Sequence, residues 1–138
     1  MSLRRILSVP ELPPYGHGAL LVLRLVAGIA FMLHGWGKIQ NPFGWMGEDA
    51  FAPGLFQGLA ALSEFGGGLA WALGLLTPVA SLGIVPTMVV AVYVHAGMRG
   101  DPFVGGWELA AVYLCIALVL MTVGPGRYSL DRKLFGAR

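Results

Sequence analysis

The stretch Ala19 to Ile39, ALLVLRLVAGIAFMLHGWGKI, decides the class of fold because nearly every residue in it is apolar. About 20 apolar residues in a helix cross the roughly 30 Å hydrocarbon core of a bilayer. Four such stretches follow one another along the chain, at residues 19–39, 54–76, 78–97 and 107–123. Since lipid offers the backbone no hydrogen-bond partners, each stretch should be a helix. The sequence therefore predicts an all-α integral membrane four-helix bundle, built as one domain over residues 1–138.

The composition supports the same class of protein. The 138 residues are 57% hydrophobic and 12% charged, with a mean hydropathy of +0.73. Soluble domains carry about a quarter charged residues, so this composition excludes a soluble enzyme, and it also excludes a disordered chain and a coiled coil. Cys115 is the single cysteine, which excludes an internal disulfide and a C-x-x-C dithiol. No G-x-G-x-x-G motif follows a strand, and no nucleic-acid partner is predicted.

Basic residues cluster at the two ends of the chain. They are Arg4 and Arg5 before the first stretch, and Arg127, Arg132, Lys133 and Arg138 after the last. The first loop instead carries Glu48 and Asp49. By the positive-inside rule this pattern predicts that both termini are cytoplasmic. The basic tail 124–138 should then lie on anionic lipid headgroups, with docking of a cytoplasmic partner as the alternative.

Ionisable residues inside the apolar stretches are the candidate catalytic residues, because a charge in a membrane helix costs about 3 kcal/mol unless it is paired or hydrated. These candidates are Arg24, Glu64, His34, Lys38 and His95. From the rise per residue we expect an Arg24–Glu64 ion pair near mid-membrane. The alternative is that the Arg24 side chain snorkels to the cytoplasmic interface. Several polar residues should together line a vestibule open to the outside, namely His34, Lys38, His95, Arg99, Asp101 and Glu108.

Two histidines at similar predicted depth, His34 and His95, raise the question of a bis-His haem. We disfavour haem because His95 is close to the end of its stretch and hence to the interface. A metal held by both histidines and Glu108 is a second option, but no spacing such as H-E-x-x-H or C-x-x-C fixes such ligands. No metal is therefore predicted.

Glycine is frequent, with 21 residues, and small residues let membrane helices approach closely. Helix packing accounts for most of these glycines. The alternative is a slot in which missing side chains leave room for a flat ligand such as a quinone ring. The candidate cofactor-binding residues of that slot are Gly35, Phe31 and Trp71, and quinone is the candidate cofactor.

Motifs in three parts of the chain resemble the DoxX family. They are Leu23-Arg24-Leu25 with Gly28, Phe31, His34-Gly35 and Lys38, then Glu64 with Gly67-Gly68 and Gly74, and finally Gly126 to Asp131 in the sequence GRYSLD. The resemblance implies a small, multi-pass protein of the bacterial inner (plasma) membrane that belongs to a redox assembly. Relatives implied by it include the small membrane subunit of a thiosulfate–quinone oxidoreductase and a mycobacterial member linked to superoxide dismutase and a sulfurtransferase.

The leading hypothesis for function is an integral-membrane subunit of a quinone-linked redox complex, connected with sulfur or oxidative-stress chemistry. Its partners would be membrane lipid and other redox subunits or a second copy of the chain. Whether the chain is itself an enzyme stays open, with an oxidoreductase subunit as the candidate class. Two alternatives are a non-catalytic scaffold for partner enzymes and a small carrier for a sulfur species or weak acid.

Overall fold

The computed structural model of the protein describes residues 8–9 and 11–136, and in these ranges it is all-helical, without strands. The helices are α1 (Pro14–Gln40), α2 (Gly54–Leu73), α3 (Thr77–Val92), α4 (Glu108–Val123) and the short α5 (Leu130–Phe135). The predicted all-α class is confirmed. Arg4, Arg5 and Arg138, which contribute to the predicted orientation, lie outside the described residues.

A π-helical segment and a kinked segment lie at the ends of helices, and the second is kinked because Val104 and Gly105 have non-helical backbone angles. Tyr93–Met98 continues α3, and Phe103–Trp107 leads into α4. Within the described residues, three helical segments are long and apolar enough to cross a membrane, namely Pro14–Gln40, Thr77–Met98 and Phe103–Val123. α2, whose 20 residues include Gln57, Glu64 and several glycines, is not among them. Three of the four predicted stretches thus form helices that meet this criterion.

α1 begins earlier than the predicted boundary at residue 19. Its first residue is Pro14, and proline is well suited to a first helical turn because the N–H that it lacks would have no partner there. The added turn carries His17, whose Nδ1 accepts a hydrogen bond from the backbone N–H of Arg127 at 3.1 Å. The start of α1 is therefore joined to the segment that follows α4.

Successive long helices run antiparallel, so the molecule has two different ends. We call the end with the connections 41–53 and 99–102 the loop end. The opposite end is the terminal end, which holds the turn 74–76, the start of α1 and the segment after α4. Gly74 closes α2 there with a φ of 64°, a left-handed conformation that favours glycine.

Glycines bring α1 and α2 into backbone contact. A Cβ added at Gly28 would lie 2.6 Å from the carbonyl oxygen of Gly68, and one added at Gly35 would lie 2.5 Å from the backbone nitrogen of Phe65. Any side chain at these positions would push the two helices apart. Gly28 and Gly35 therefore serve helix packing, the explanation favoured from the sequence.

The core joins all four long helices through three aromatic rings. The Phe31 ring stacks on Trp71 with centroids 5.6 Å apart, and it contacts Tyr113 at 4.7 Å. Trp71 is fully buried, and its indole Nε1 donates a hydrogen bond to Oγ of Ser81 at 2.9 Å. Because these residues come one from each helix, the core fixes the relative positions of α1 to α4.

Candidate functional site

A cavity of ≈ 990 Å³ lies between α2 and α3, and we call it the α2–α3 groove. Its body is apolar and includes Phe56, Leu59, Val79, Gly83, Pro86 and Val90. Its polar residues include Ser63 and Thr87 and, toward the loop end, Lys38, Gln57, Glu64, His95 and Arg99. Small side chains on both helices leave this room, since Gly83 would meet only Ser63 within 4 Å if it carried a Cβ. The volume is within the range of small-molecule sites.

An ion pair lies in the polar part of the groove. Nζ of Lys38 donates to Oε1 of Glu64 at 2.6 Å, and the Glu64 side chain is only 6% exposed. The Lys38 ammonium also lies 4.4 Å from the ring centroid of Trp45, in a cation–π contact. The second carboxylate oxygen of Glu64, Oε2, is buried and has no hydrogen-bond partner in the described chain. Glu64 therefore keeps one acceptor that the protein does not use.

The buried Gln57 anchors the loop 41–53 beside this ion pair. Its amide oxygen accepts from the backbone N–H of Met46 at 3.0 Å, and its amide nitrogen donates to the carbonyl of Ala52 at 2.9 Å. The carbonyl of Gln57 also accepts a hydrogen bond from the indole of Trp45 at 3.0 Å. The loop is thereby held against the loop end of the groove.

His95 lies on the opposite wall of the groove in the π-helical segment that continues α3. Its Nδ1 is 2.6 Å from Oδ2 of Asp101, and the backbone N–H of Asp101 donates to the carbonyl of His95 at 2.8 Å. π-Helical turns often accompany functional sites, because the wider turn displaces side chains from their α-helical positions. Here that turn and the loop after it set the histidine against a carboxylate.

The predicted Arg24–Glu64 ion pair is wrong. Glu64 pairs with Lys38, while the Arg24 guanidinium donates to the carbonyl of Pro125 at 2.7 Å and to that of Tyr128 at 2.9 Å. The reason is depth along the bundle. Contact between Gly35 and Glu64 places Glu64 level with residue 35, and Arg24 is 11 residues away, or about 16 Å along the helix. The alternative, snorkelling of Arg24 to the cytoplasmic interface, differs from the structure as well, because the side chain points to the terminal end but is only 1% exposed and binds carbonyls of the chain instead of water.

The segment after α4 folds back over the terminal end, a role that sequence reasoning missed. The Asp131 carboxylate is fully buried and accepts from the backbone N–H groups of Leu76 and Thr77 at 2.6 and 2.8 Å. It thus caps the N-terminus of α3, which has no side-chain cap of its own. Ser129 caps α5 through the N–H of Arg132. The available signal was the GRYSLD motif, in which Asp131 is an acidic residue within a basic tail.

The predicted quinone slot beside Gly35, Phe31 and Trp71 is filled by protein. Phe31 and Trp71 are 2% and 0% exposed and stack on each other, and the backbone of α2 occupies the space beside Gly35. None of the three residues lines the α2–α3 groove. The glycines at the α1–α2 contact serve close packing, so the room for a ligand lies instead between α2 and α3.

Some residues of the predicted vestibule lie together in the groove, and others lie elsewhere. Lys38, His95 and Arg99 line the groove, whereas His34 is exposed and its ring contacts the edge of Tyr113 at 6.1 Å. Glu108 borders a separate, smaller cavity beside Gly105 and Gly106. Within residues 8–9 and 11–136, no group of three or more His, Cys, Asp or Glu side chains is placed to hold a metal ion.

Comparison with known proteins gives a family match and one similar curated protein. The family model DoxX matches residues 19–97. The chain is 34% identical over 124 residues to "Inner membrane protein YqjF" of Escherichia coli (strain K12), and this alignment covers 83% of the chain and 90% of the relative. No solved structure matches the chain.

Proposed function

Because this chain belongs to the DoxX family, we propose that it is a quinone-binding subunit of a redox complex in the bacterial inner membrane, with the quinone in the α2–α3 groove. The observation that carries the proposal is that the groove has an apolar body and a polar part at the loop end. Its body is apolar, as suits an isoprenoid or alkyl tail, and its loop-end part carries Lys38, Glu64 and His95 beside the space for a ring. A bound quinone would exchange electrons and protons with a partner enzyme.

We further propose that all four long helices span the membrane and that both termini are cytoplasmic. α2 does not meet the length and hydropathy criterion for a membrane span, but its polar side chains Gln57 and Glu64 are buried within the protein. A helix whose polar residues face other helices can reside in lipid, because the exposed face is what lipid contacts. The exposed residues of α2 include Leu55, Phe56, Leu59 and Leu62. The basic residues of the tail then lie at the cytoplasmic side.

In this role the chain's own residues bind and orient the ligand. The ion pair of Lys38 and Glu64 sits where the head group would lie, and Gln57 holds the loop 41–53 over that position. The partner enzymes, with sulfur or oxidative-stress chemistry as their expected reactions, would dock on the exposed parts of the bundle. The groove supplies them with a membrane-soluble electron carrier.

The test is to fill the groove without disturbing the backbone. Gly83 lines the groove, and a Cβ there has ordinary contact distances, so Gly83→Trp places an indole in the ligand space. Gly37 is the matched control, because a Cβ at this exposed position in α1 has nothing within 4 Å and it does not line the groove. Gently purified wild type and Gly37→Trp should retain quinone in solvent extracts read by mass spectrometry, and Gly83→Trp should lose it.

Three results would count against the proposal. Quinone retained equally by all three proteins would place any bound quinone outside the groove. Absence of quinone from the wild type, together with failure of decylubiquinone and decylubiquinol to bind, would instead favour the scaffold. Flux of a sulfur species or weak acid in proteoliposomes that Gly83→Trp blocks would favour the carrier.

A further inference from the structure

Two adjacent residues of α2 that line the α2–α3 groove carry buried polar atoms without a hydrogen-bond partner. The atoms are Oγ of Ser63 and Oε2 of Glu64, and within the residues that the structure describes neither one is hydrogen-bonded. Buried polar atoms in folded proteins nearly always have a partner, because an unsatisfied one costs free energy. Two such atoms on neighbouring residues of one cavity therefore indicate a position for a polar group of a ligand.

The hydroxyl of Ser63 faces space that α3 leaves open. A Cβ added at Gly83 would lie 3.9 Å from Oγ of Ser63, and glycine places no side chain there. Thr87 also lines the groove, but its hydroxyl already donates to the carbonyl of Gly83 at 3.0 Å. Of the two hydroxyl groups that line the groove, the one on Ser63 is thus available to a ligand.

A serine hydroxyl suits a ligand oxygen that changes its hydrogen-bonding role. The carbonyl oxygen of a quinone only accepts hydrogen bonds, whereas the hydroxyl of a quinol both donates and accepts, and a serine hydroxyl can match either group. Lys38 adds further donors, because its ammonium has three N–H groups and gives one of them to Glu64. This part of the groove therefore offers donors as well as an acceptor.

On the basis of the quinone site proposed above, we propose that Ser63 is a ligand-binding residue that hydrogen-bonds a ring oxygen in both redox forms. Its Oγ donates to a carbonyl of the quinone and exchanges a hydrogen bond with the corresponding hydroxyl of the quinol. The ring then lies beside the ion pair of Lys38 and Glu64. Its level is that of Ser63, about 14 Å along α2 from the first residue of the helix, Gly54.

The experiment measures the binding of decylubiquinone and of decylubiquinol to the full chain in nanodiscs under anaerobic conditions. Ser63→Ala removes one hydrogen bond and little volume, so both forms should bind about fivefold more weakly. Thr122→Val is the matched control, because it removes a hydroxyl of α4 that lies outside the groove. This control variant should bind both forms as tightly as the wild type does.

Stability without ligand distinguishes a binding role of Ser63 from a structural one. Since Oγ of Ser63 has no partner in the described part of the chain, Ser63→Ala should not lower the melting temperature. A lower melting temperature together with unchanged affinity would show that the hydroxyl serves the fold instead of the ligand.

A spectroscopic measurement reports on the hydrogen bond itself. In infrared spectra of bound decylubiquinone with ¹³C-labelled carbonyl groups, Ser63→Ala should move one C=O band to higher wavenumber, because that carbonyl loses a donor. Bands that stay in place in the variant would overturn the inference.

The outcomes separate this inference from the proposed function. Equal affinity of the wild type and Ser63→Ala, with binding lost in Gly83→Trp, would leave the quinone site standing and refute the role of Ser63. Failure of both redox forms to bind the wild type would refute both proposals. Loss of affinity for only one form would contradict the dual role of the hydroxyl.

Discussion

The ion pair of Lys38 and Glu64 allows a quantitative test by double-mutant cycle. Lys38→Met removes the cation and leaves a carboxylate that is 6% exposed with neither oxygen paired to a charge. Breaking a fully buried ion pair costs about 3 to 5 kcal/mol. Since the Lys38 side chain is 27% exposed, water can partly replace it, and we expect about 2 to 3 kcal/mol.

Glu64→Leu should lower the free energy of unfolding by less than Lys38→Met does. The Lys38 ammonium that loses its partner keeps its contact with Trp45 and reaches solvent. The double variant should lose about as much as the worse single variant, which gives a coupling energy of roughly 1 to 2 kcal/mol. Reversible unfolding in mixed detergent micelles, followed by tryptophan fluorescence, measures all four free energies of unfolding. The Arg24→Leu and Glu64→Leu cycle is the control, since these residues do not touch and their effects should add within about 0.5 kcal/mol. Coupling in the control cycle, or additivity in the Lys38 and Glu64 cycle, would refute the pairing described here.

Three further predictions concern packing, capping and orientation. Gly35→Ala should destabilise the protein by about 1 to 3 kcal/mol because its Cβ meets the α2 backbone, whereas Gly37→Ala, with open space around it, should leave the melting temperature within a few degrees. Asp131→Ala should cost about 2 to 4 kcal/mol by freeing the two N–H groups that cap α3, and hydrogen exchange at Thr77 should rise; unchanged exchange would count against the cap. A reporter fused after Arg138 should be active in the cytoplasm, because six of the nine basic residues lie at the two ends of the chain, and activity on the opposite side would reverse the proposed topology.

The fold class was predictable from the sequence because hydropathy acts over whole helices. A run such as 78–97 has few alternatives to a helix in lipid, whatever its neighbours are. α2 shows the limit of the same reasoning. Its predicted start at residue 54 is confirmed, but the helix ends at Leu73 and not at residue 76, and the burial of Gln57 and Glu64 depends on neighbours that hydropathy alone does not reveal.

The candidate site was predictable in its residue types but not in its pairings. Lys38, Glu64 and His95 were singled out and do line one groove, yet Arg24 was assigned the partner that belongs to Lys38. The error came from measuring depth from predicted helix ends, whereas the contact between glycines sets the register of α1 on α2. The fold-back of the tail onto Arg24 depends on backbone carbonyls, which every residue possesses and no sequence pattern marks.

The distance in sequence between Arg24 and its acceptors has a consequence for the order of synthesis. The guanidinium donates to the carbonyl of Pro125, 101 residues further along the chain. At a synthesis rate of about 5 to 20 residues per second, roughly 5 to 20 s pass between the two residues leaving the ribosome. During that interval α1 carries an arginine whose final acceptors do not yet exist. The arginine of the first helix therefore reaches its final hydrogen-bond partners only after the last long helix has been made, and a ribosome that stops before Pro125 releases a chain that lacks both native acceptors of Arg24.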